Sequence, residues 1–215
     1  MKIGILWDLD GTLLDTLDDL ADSVNYALSQ GGFPLRTREE VRKFVGNGAR
    51  RLIHLALPED KKAAEDEILS VFQAYYKENA EHKTCPYAGV LDALSALKEK
   101  YPMAIVSNKP DAAVKVLCSR YFPGIYARGE RADCPRKPAP DMVRRTMEDL
   151  GLDGCIYVGD SEVDVLTAEN AQVPCLSVLW GFRDEEVLRE AGAKAMCREP
   201  AQLIECIEKL IKEQF

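Results

Sequence analysis

The sequence predicts an α/β fold built on a parallel sheet, and three observations carry that reading. Short apolar runs of strand length recur along the chain, several of them rich in Val and Ile. Amphipathic helical stretches separate them. The runs are apolar throughout rather than alternating, as strands buried on both faces of a parallel sheet are. A length of 215 residues is enough for one domain, or for a core with a modest insertion.

The first run, residues 3–9, is followed by a region that breaks the rhythm, because 15–84 contains no convincing strand. Residues 15–29 read as helix. Thr37-Arg38-Glu39-Glu40 fits a capping box, with Thr37 as N-cap and Glu40 three positions on. Residues 49–57 and 60–78 are amphipathic, and Gly46-Asn47-Gly48 interrupts the helical block. The expected organisation is therefore a helical insertion over 15–84 and a core of 1–14 and 85–215. Leu14-Asp15-Thr16 and Thr84-Cys85-Pro86-Tyr87 serve as connectors and hinges. In the core, 103–106, 125–127, 155–158 and 175–179 are strands; 111–121, 140–150 and 164–170 are helices, with Gly151 stopping the second.

Composition narrows the function. Lys and Arg number 28 against 36 Asp and Glu, a net charge of −8, which disfavours a nucleic-acid surface but not a small anionic substrate. The apolar N-terminal run stops at Asp8, too soon for a signal peptide, and no stretch approaches a membrane span. Seven cysteines with no C-x-x-C pair read as free thiols in a reducing, cytoplasmic compartment. With only two histidines, a structural zinc site is not expected. The expected partner is a small phosphorylated metabolite, with no nucleic acid and no membrane, for a monomer or homodimer.

Ligands of open α/β sheets bind beyond the carboxyl ends of the strands, so the residues after each run carry the chemistry. They are Asp8-Leu9-Asp10-Gly11-Thr12, Ser107-Asn108-Lys109 and Gly159-Asp160-Ser161-Glu162-Val163-Asp164, with Lys137 between the last two. Gathered carboxylates repel one another, and a hard divalent cation such as Mg²⁺ relieves this. Gly11 lets backbone N–H groups approach an anion, Ser107 offers a hydroxyl and Lys137 a point charge. A carboxylate nucleophile can form an aspartyl-phosphate once cations neutralise the approach. Each residue alone has a plainer reading, such as a turn, a cap or a solvated lysine; together they fit phosphoryl transfer through Asp8.

These four segments, in this order, resemble the motifs of the haloacid dehalogenase (HAD) superfamily. The resemblance implies a Rossmann-like core with a helical cap of the first type (C1). It implies Asp8 as nucleophile and metal ligand. Asp10 would be the general acid/base, with its carbonyl on Mg²⁺. Gly11, Thr12, Ser107 and Asn108 would hold phosphate, and Lys137 would bridge Asp8 and the phosphate. Asp160 would ligate the metal, and Asp164 would support the site through water or Lys137. Asp10 argues against dehalogenation, since that branch lacks this acid.

A finer resemblance, to phosphoglycolate phosphatases, rests on five segments. They are Val45-Gly46-Asn47-Gly48-Ala49-Arg50-Arg51-Leu52, Tyr87-Ala88-Gly89-Val90, Ser107-Asn108-Lys109-Pro110, Lys137-Pro138-Ala139-Pro140-Asp141 and Trp180-Gly181. It implies hydrolysis of 2-phosphoglycolate, in bacteria a product of the repair of oxidised DNA. Gly46, Asn47 and Gly48 at a helix start, with Arg50 or Arg51, would receive the substrate carboxylate. Alternatives are a β-phosphoglucomutase-like phosphomutase, against which Thr12 leans, or a pyrophosphatase or nucleotidase of the same superfamily. A phospho-accepting signalling module and an inactive binding protein are more distant. His54, Tyr75, Tyr76 and Trp180 read as packing or surface residues, and Glu65-Asp66-Glu67 as a solvated helix face.

Overall fold

A computed structural model describes residues 1–215. The chain begins β1 (Ile3–Trp7), β2 (Leu14–Asp15), α1 (Leu17–Gln30), α2 (Arg38–Phe44), α3 (Gly48–Ala56), a 3-10 turn (Glu59–Ala64) and α4 (Glu65–Asn79). It continues β3 (Cys85–Pro86), α5 (Val90–Lys98), β4 (Met103–Pro110), α6 (Asp111–Tyr121) and β5 (Tyr126–Glu130). Then come α7 (Asp141–Leu150), β6 (Gly154–Gly159), α8 (Glu162–Ala171), β7 (Cys175–Val178), α9 (Glu185–Glu190), β8 (Ala195–Cys197) and α10 (Leu203–Gln214). Two compact units result, one of Met1–Leu14 with Pro86–Phe215, the other of Asp15–Cys85.

In the first unit six strands form one sheet in the order β5-β4-β1-β6-β7-β8, parallel at every pairing. Successive side chains of a strand point to opposite faces, so each central strand feeds two apolar layers. Ile5, Trp7, Ile105, Ile156 and Val158 face a layer that Val90, Leu94, Val114, Leu203 and Ile207 of α5, α6 and α10 complete. Leu6, Ala104, Val106, Cys155 and Tyr157 face Met142, Val143 and Ala168 of α7 and α8. Each fully buried Leu, Ile or Val contributes about 1.5–3 kcal/mol. Covering both faces also explains why the strands carry no alternation in sequence. Gly151 ends α7 at φ 60°, a left-handed cap position that glycine takes without a Cβ clash.

The strand order places a topological switch point between β1 and β6, since the chain runs outward from β1 through β4 to β5 and then returns beside β1 as β6. Ligand crevices of such sheets lie at that point. The structure adds a sixth strand to the five expected for this sheet. β8 is a three-residue edge strand, Ala195-Met196-Cys197, between Lys194 and Arg198, too short to show a period.

The second unit is helical. Leu20, Val24, Leu28, Val41, Leu52, Ile53, Ile68 and Phe72 are buried, and Asp19 accepts from the Lys83 and Thr84 N–H groups at 2.8–3.0 Å. The Thr37–Glu40 capping box starts α2, and hydrogen bonding to Thr37 holds the Glu40 carboxyl below its ordinary value. The single helix expected over 60–78 divides, with a 3-10 turn before α4. There the Lys62 ammonium reaches back to the carbonyls of His54 and Leu57, tightening the turn. Glu65 is no solvated face residue, since Arg50 and His54 both lie 2.6 Å from its carboxylate. The connectors carry the two-residue strands β2 and β3, which pair with one another. No helix is long and apolar enough to cross a membrane, and all seven cysteines are free.

Candidate active site

The site is built at the switch point from the loops after β1, β5 and β6 and from the carboxyl-terminal part of β4. Asp8 follows β1 directly, its N–H donating to the Val158 carbonyl at 2.8 Å. The chain then folds back tightly, with Leu13 and Leu14 N–H both bonding the Leu9 carbonyl and Gly11 N–H the Leu14 carbonyl. Gly11 has φ 86° and lies against the Asp160 carboxylate where a Cβ would collide, so only glycine serves there.

After β6, Asp160 is wholly buried. Its Oδ1 accepts the Thr12 hydroxyl at 3.0 Å and its Oδ2 the Phe182 N–H at 2.7 Å. Asp164, one turn into α8, accepts the Ser161 N–H at 3.1 Å and the Ser161 hydroxyl at 2.6 Å on Oδ2. Its Oδ1 is left to a lysine. Carboxylate oxygens of Asp8, Asp160 and Asp164 lie within 4.8 Å of one another, all three residues buried.

Lys137 holds this cluster together. Its three N–H bonds go to Asp8 Oδ1 at 2.8 Å, Asp164 Oδ1 at 2.7 Å and the Tyr157 hydroxyl at 2.9 Å. Asn108 fixes the backbone beneath, its amide exchanging bonds of 2.8 and 2.9 Å with the Lys137 N–H and carbonyl. Ser107 is buried beside it. A second lysine, Lys109, meets Asp10 Oδ1 at 2.7 Å.

Burial sets the electrostatics. It lifts the Asp8 carboxyl well above its ordinary value, with repulsion from Asp164 and Asp160 adding to the rise and Lys137 opposing it. It raises Asp160 to about 7, again helped by Asp164. Burial alone would lower Lys137, but Asp164 and Asp8 outweigh it and hold the ammonium well above its usual value. Four carboxylates thus face two ammonium groups, an imbalance of two negative charges that one divalent cation matches. The donor set is all oxygen, which suits a hard cation. Asp8 keeps Oδ2 free of hydrogen bonds and Asp160 meets only neutral donors, whereas Asp164 gives one oxygen to the Lys137 ammonium and the other to Ser161, so Asp8 and Asp160 are the side chains better disposed to hold it.

The structure brings together Asp8, Asp10, Gly11, Thr12, Ser107, Asn108, Lys137, Asp160 and Asp164, and it revises two assignments. The Thr12 hydroxyl is buried and given to Asp160, so this side chain orients a metal-ligand candidate rather than offering phosphate a donor. Trp180 does more than pack, since its indole N–H donates to the Thr12 carbonyl at 3.0 Å. In the helical unit Gly46, before α3, and Gly48, its first residue, take positive φ, and Asn47 is the N-cap without a side-chain bond. Of the two arginines, either of which was expected to serve the substrate, Arg50 is ion-paired to Glu65 and Asp66 at 2.6 and 2.8 Å, and Arg51 is exposed and unpaired.

Two polar residues are given no role by the sequence reading, Lys109 and Tyr157. Each carried a signal. Lys109 adjoins Ser107-Asn108, and Tyr157 is the one hydroxyl-bearing side chain in an otherwise apolar strand, where a buried phenol needs a partner.

Similarity to known proteins agrees with this geometry. The family model for haloacid dehalogenase-like hydrolases matches residues 5–178. A phosphoglycolate phosphatase of Mesorhizobium japonicum is 34% identical over 220 residues, covering 97% of this chain and 96% of its own. Phosphoglycolate phosphatase 1 of Pseudomonas aeruginosa is 32% identical over 217 residues, covering 95% and 79%. A crystal structure from Lactobacillus delbrueckii subsp. bulgaricus, assigned as a phosphoglycolate phosphatase, superposes with a TM-score of 0.89 at 35% identity, covering 95% and 97%. With the parallel sheet, the acidic switch point and the match over most of the chain in agreement, this protein belongs to the haloacid dehalogenase-like hydrolases.

Proposed function

We propose that the chain is a Mg²⁺-dependent phosphomonoester hydrolase that works through an aspartyl-phosphate on Asp8, with 2-phosphoglycolate as its substrate. The observation that carries the reading is the Lys137 ammonium bridging Asp8 and Asp164 inside a buried cluster of acids. A carboxylate so placed is oriented for attack but needs cationic charge around it to approach a phosphate dianion. Mg²⁺ held by Asp8, Asp160 and the Asp10 carbonyl would supply charge neutralisation there.

The residues divide the work. Asp8 attacks phosphorus as the ester oxygen departs. Asp10 protonates that oxygen, then takes a proton from the water that hydrolyses the acyl phosphate. Lys137 holds Asp8 and meets the phosphoryl oxygens, while Ser107 and the Gly11 loop complete the cradle. Thr12, Asn108 and Asp164 act one step back, on Asp160 and Lys137.

The helical unit acts as the cap. Arg51, uncommitted to any carboxylate, is the cation we assign to the substrate carboxylate, with Gly46, Asn47 and Gly48 at the start of α3 supplying N–H groups. The relatives named above support this substrate. The same reading extends to a cytoplasmic protein, monomeric or dimeric, that clears phosphoglycolate formed in DNA repair. Seven free thiols favour that compartment, and Cys118, Cys155, Cys175 and Cys197 are pushed up to about 12, chiefly by burial, so they remain inert.

The test is phosphate release with Mg²⁺ across 2-phosphoglycolate, nucleoside monophosphates, pyrophosphate and hexose phosphates. A kcat/KM preference for 2-phosphoglycolate supports the full proposal. A preference elsewhere retains the mechanism and replaces the substrate. Isomerised hexose phosphate as product would identify a mutase instead.

A further inference from the structure

We propose that Lys109 is a positioning residue for Asp10, the carboxyl group assigned to proton transfer; this rests on the phosphatase reading above. The sheet itself delivers Lys109 to the site. Along β4 and β5, Val106 pairs with Arg128, but the next pairing is Pro110 with Glu130, so four steps on one strand oppose two on the other. Such a bulge bends a strand and re-aims its side chains. In a regular strand residues 107 and 109 would point away from 108. Here Asn108 grips the Lys137 backbone while Lys109 reaches Asp10, and the Lys109 N–H is tied to Ser107 Oγ at 3.2 Å.

The lysine is no solvated surface group. Its side chain is 4% exposed and that of Asp10 12%. A buried ammonium is costly to desolvate and is retained only against a well-placed partner. The Lys109 ammonium meets Asp10 Oδ1 at 2.7 Å, while Asp10 Oδ2 carries no hydrogen bond. Lys109 therefore fixes the carboxyl plane by one oxygen and leaves the other for the substrate. In the first step a bond forms between an Asp8 oxygen and phosphorus, and the bond from phosphorus to the ester oxygen breaks. The Asp10 Oδ2 proton passes to that oxygen, leaving a carboxylate against the Lys109 ammonium.

Leaving-group dependence separates this role from a structural one. An alkoxide needs a proton to depart, whereas p-nitrophenolate does not, and kcat/KM reports the first irreversible step. In Lys109→Met, kcat/KM for 2-phosphoglycolate is expected to fall by about a hundredfold. The fall for p-nitrophenyl phosphate should be at least about tenfold smaller, and that remaining activity also shows that the variant has folded. Lys109→Arg should recover part of the loss. In an Asp10→Asn background, Lys109→Met should add little, because its partner is already gone. Equal losses on the two esters, or fully additive losses in the double variant, would overturn the proposal while leaving the phosphatase reading in place. A wild-type protein inert towards every phosphomonoester would overturn both. If Lys109→Met fails to fold, the same comparison of esters in Lys109→Arg decides: a selective deficit on the alkyl ester supports the role, and an even one refutes it.

Discussion

The Tyr157 hydroxyl lies 2.9 Å from the Lys137 ammonium and donates to the Val106 carbonyl at 3.0 Å, so a phenol from the middle of the sheet completes the coordination of the lysine at its edge. Burial, with Asp164 and Asp8 nearby, raises this phenol well above its ordinary value against the pull of Lys137, so it stays protonated and can donate. Tyr157→Phe keeps the ring and removes both bonds, stranding a buried N–H and a buried carbonyl. We expect a loss of about 1–3 kcal/mol in denaturant unfolding, with reduced kcat/KM. Unchanged stability would mean that water replaces the hydroxyl.

Metal dependence of stability follows from the raised acids. Asp160 titrates near 7 in the folded protein, and Asp8 is also raised, so between about pH 4 and 7 the folded state holds protons that the unfolded chain has released. That stability is complete below the unfolded values and is lost as pH rises through the folded ones. The lowered carboxyls Glu40, Glu65, Asp111, Asp149, Glu185 and Glu208 act in the opposite sense, but below their ordinary values of 3.8–4.5. With a chelator present, Tm should therefore decline from pH 5 to 7. Mg²⁺ at a hundred times its Kd should restore about 3 kcal/mol at pH 7.5 and progressively less towards pH 5. A flat metal-free profile would refute the assignment.

Asp8→Asn preserves shape while removing one member of a self-repelling cluster. Turnover should drop by at least about a thousandfold with Tm in chelator unchanged or raised. Steady-state activity in this variant, with deamidation excluded by mass spectrometry, would exclude the covalent route.

Arg50 and Arg51 should separate. Arg51→Ala should raise KM for 2-phosphoglycolate about tenfold or more, the weight of one charge-assisted hydrogen bond, and spare p-nitrophenyl phosphate, which has no carboxylate. Arg50→Ala should change KM less, since its guanidinium is already engaged by Glu65 and Asp66. Equal KM effects would show that the Glu65 pair opens during turnover.

Much of this arrangement was legible beforehand. The strands of the core announce themselves because two-sided burial demands unbroken apolar runs, and β8 does not because three residues at an edge demand little. The acids at strand ends were readable as a group because in a parallel sheet those ends share one side. Local patterning could not divide the 3-10 turn from α4, because a lysine reaching back to earlier carbonyls decides it. Nor could it find the partner of Arg50, which lies fifteen residues on in another helix.

The sequence by itself determined the alternation of strand and helix, the helical insertion and which residue types stand at the carboxyl edge, since these follow from burial period and chain order. Only the tertiary structure decided who meets whom. Lys109 reaches Asp10 across 99 positions, which nothing in the sequence implies, and the Lys137 contact with Asp8 across 129, implied by the family resemblance alone, acquires its distance there. The physical reason is that strand order and one bulge in β4 set those distances, and neither leaves a mark on the local pattern.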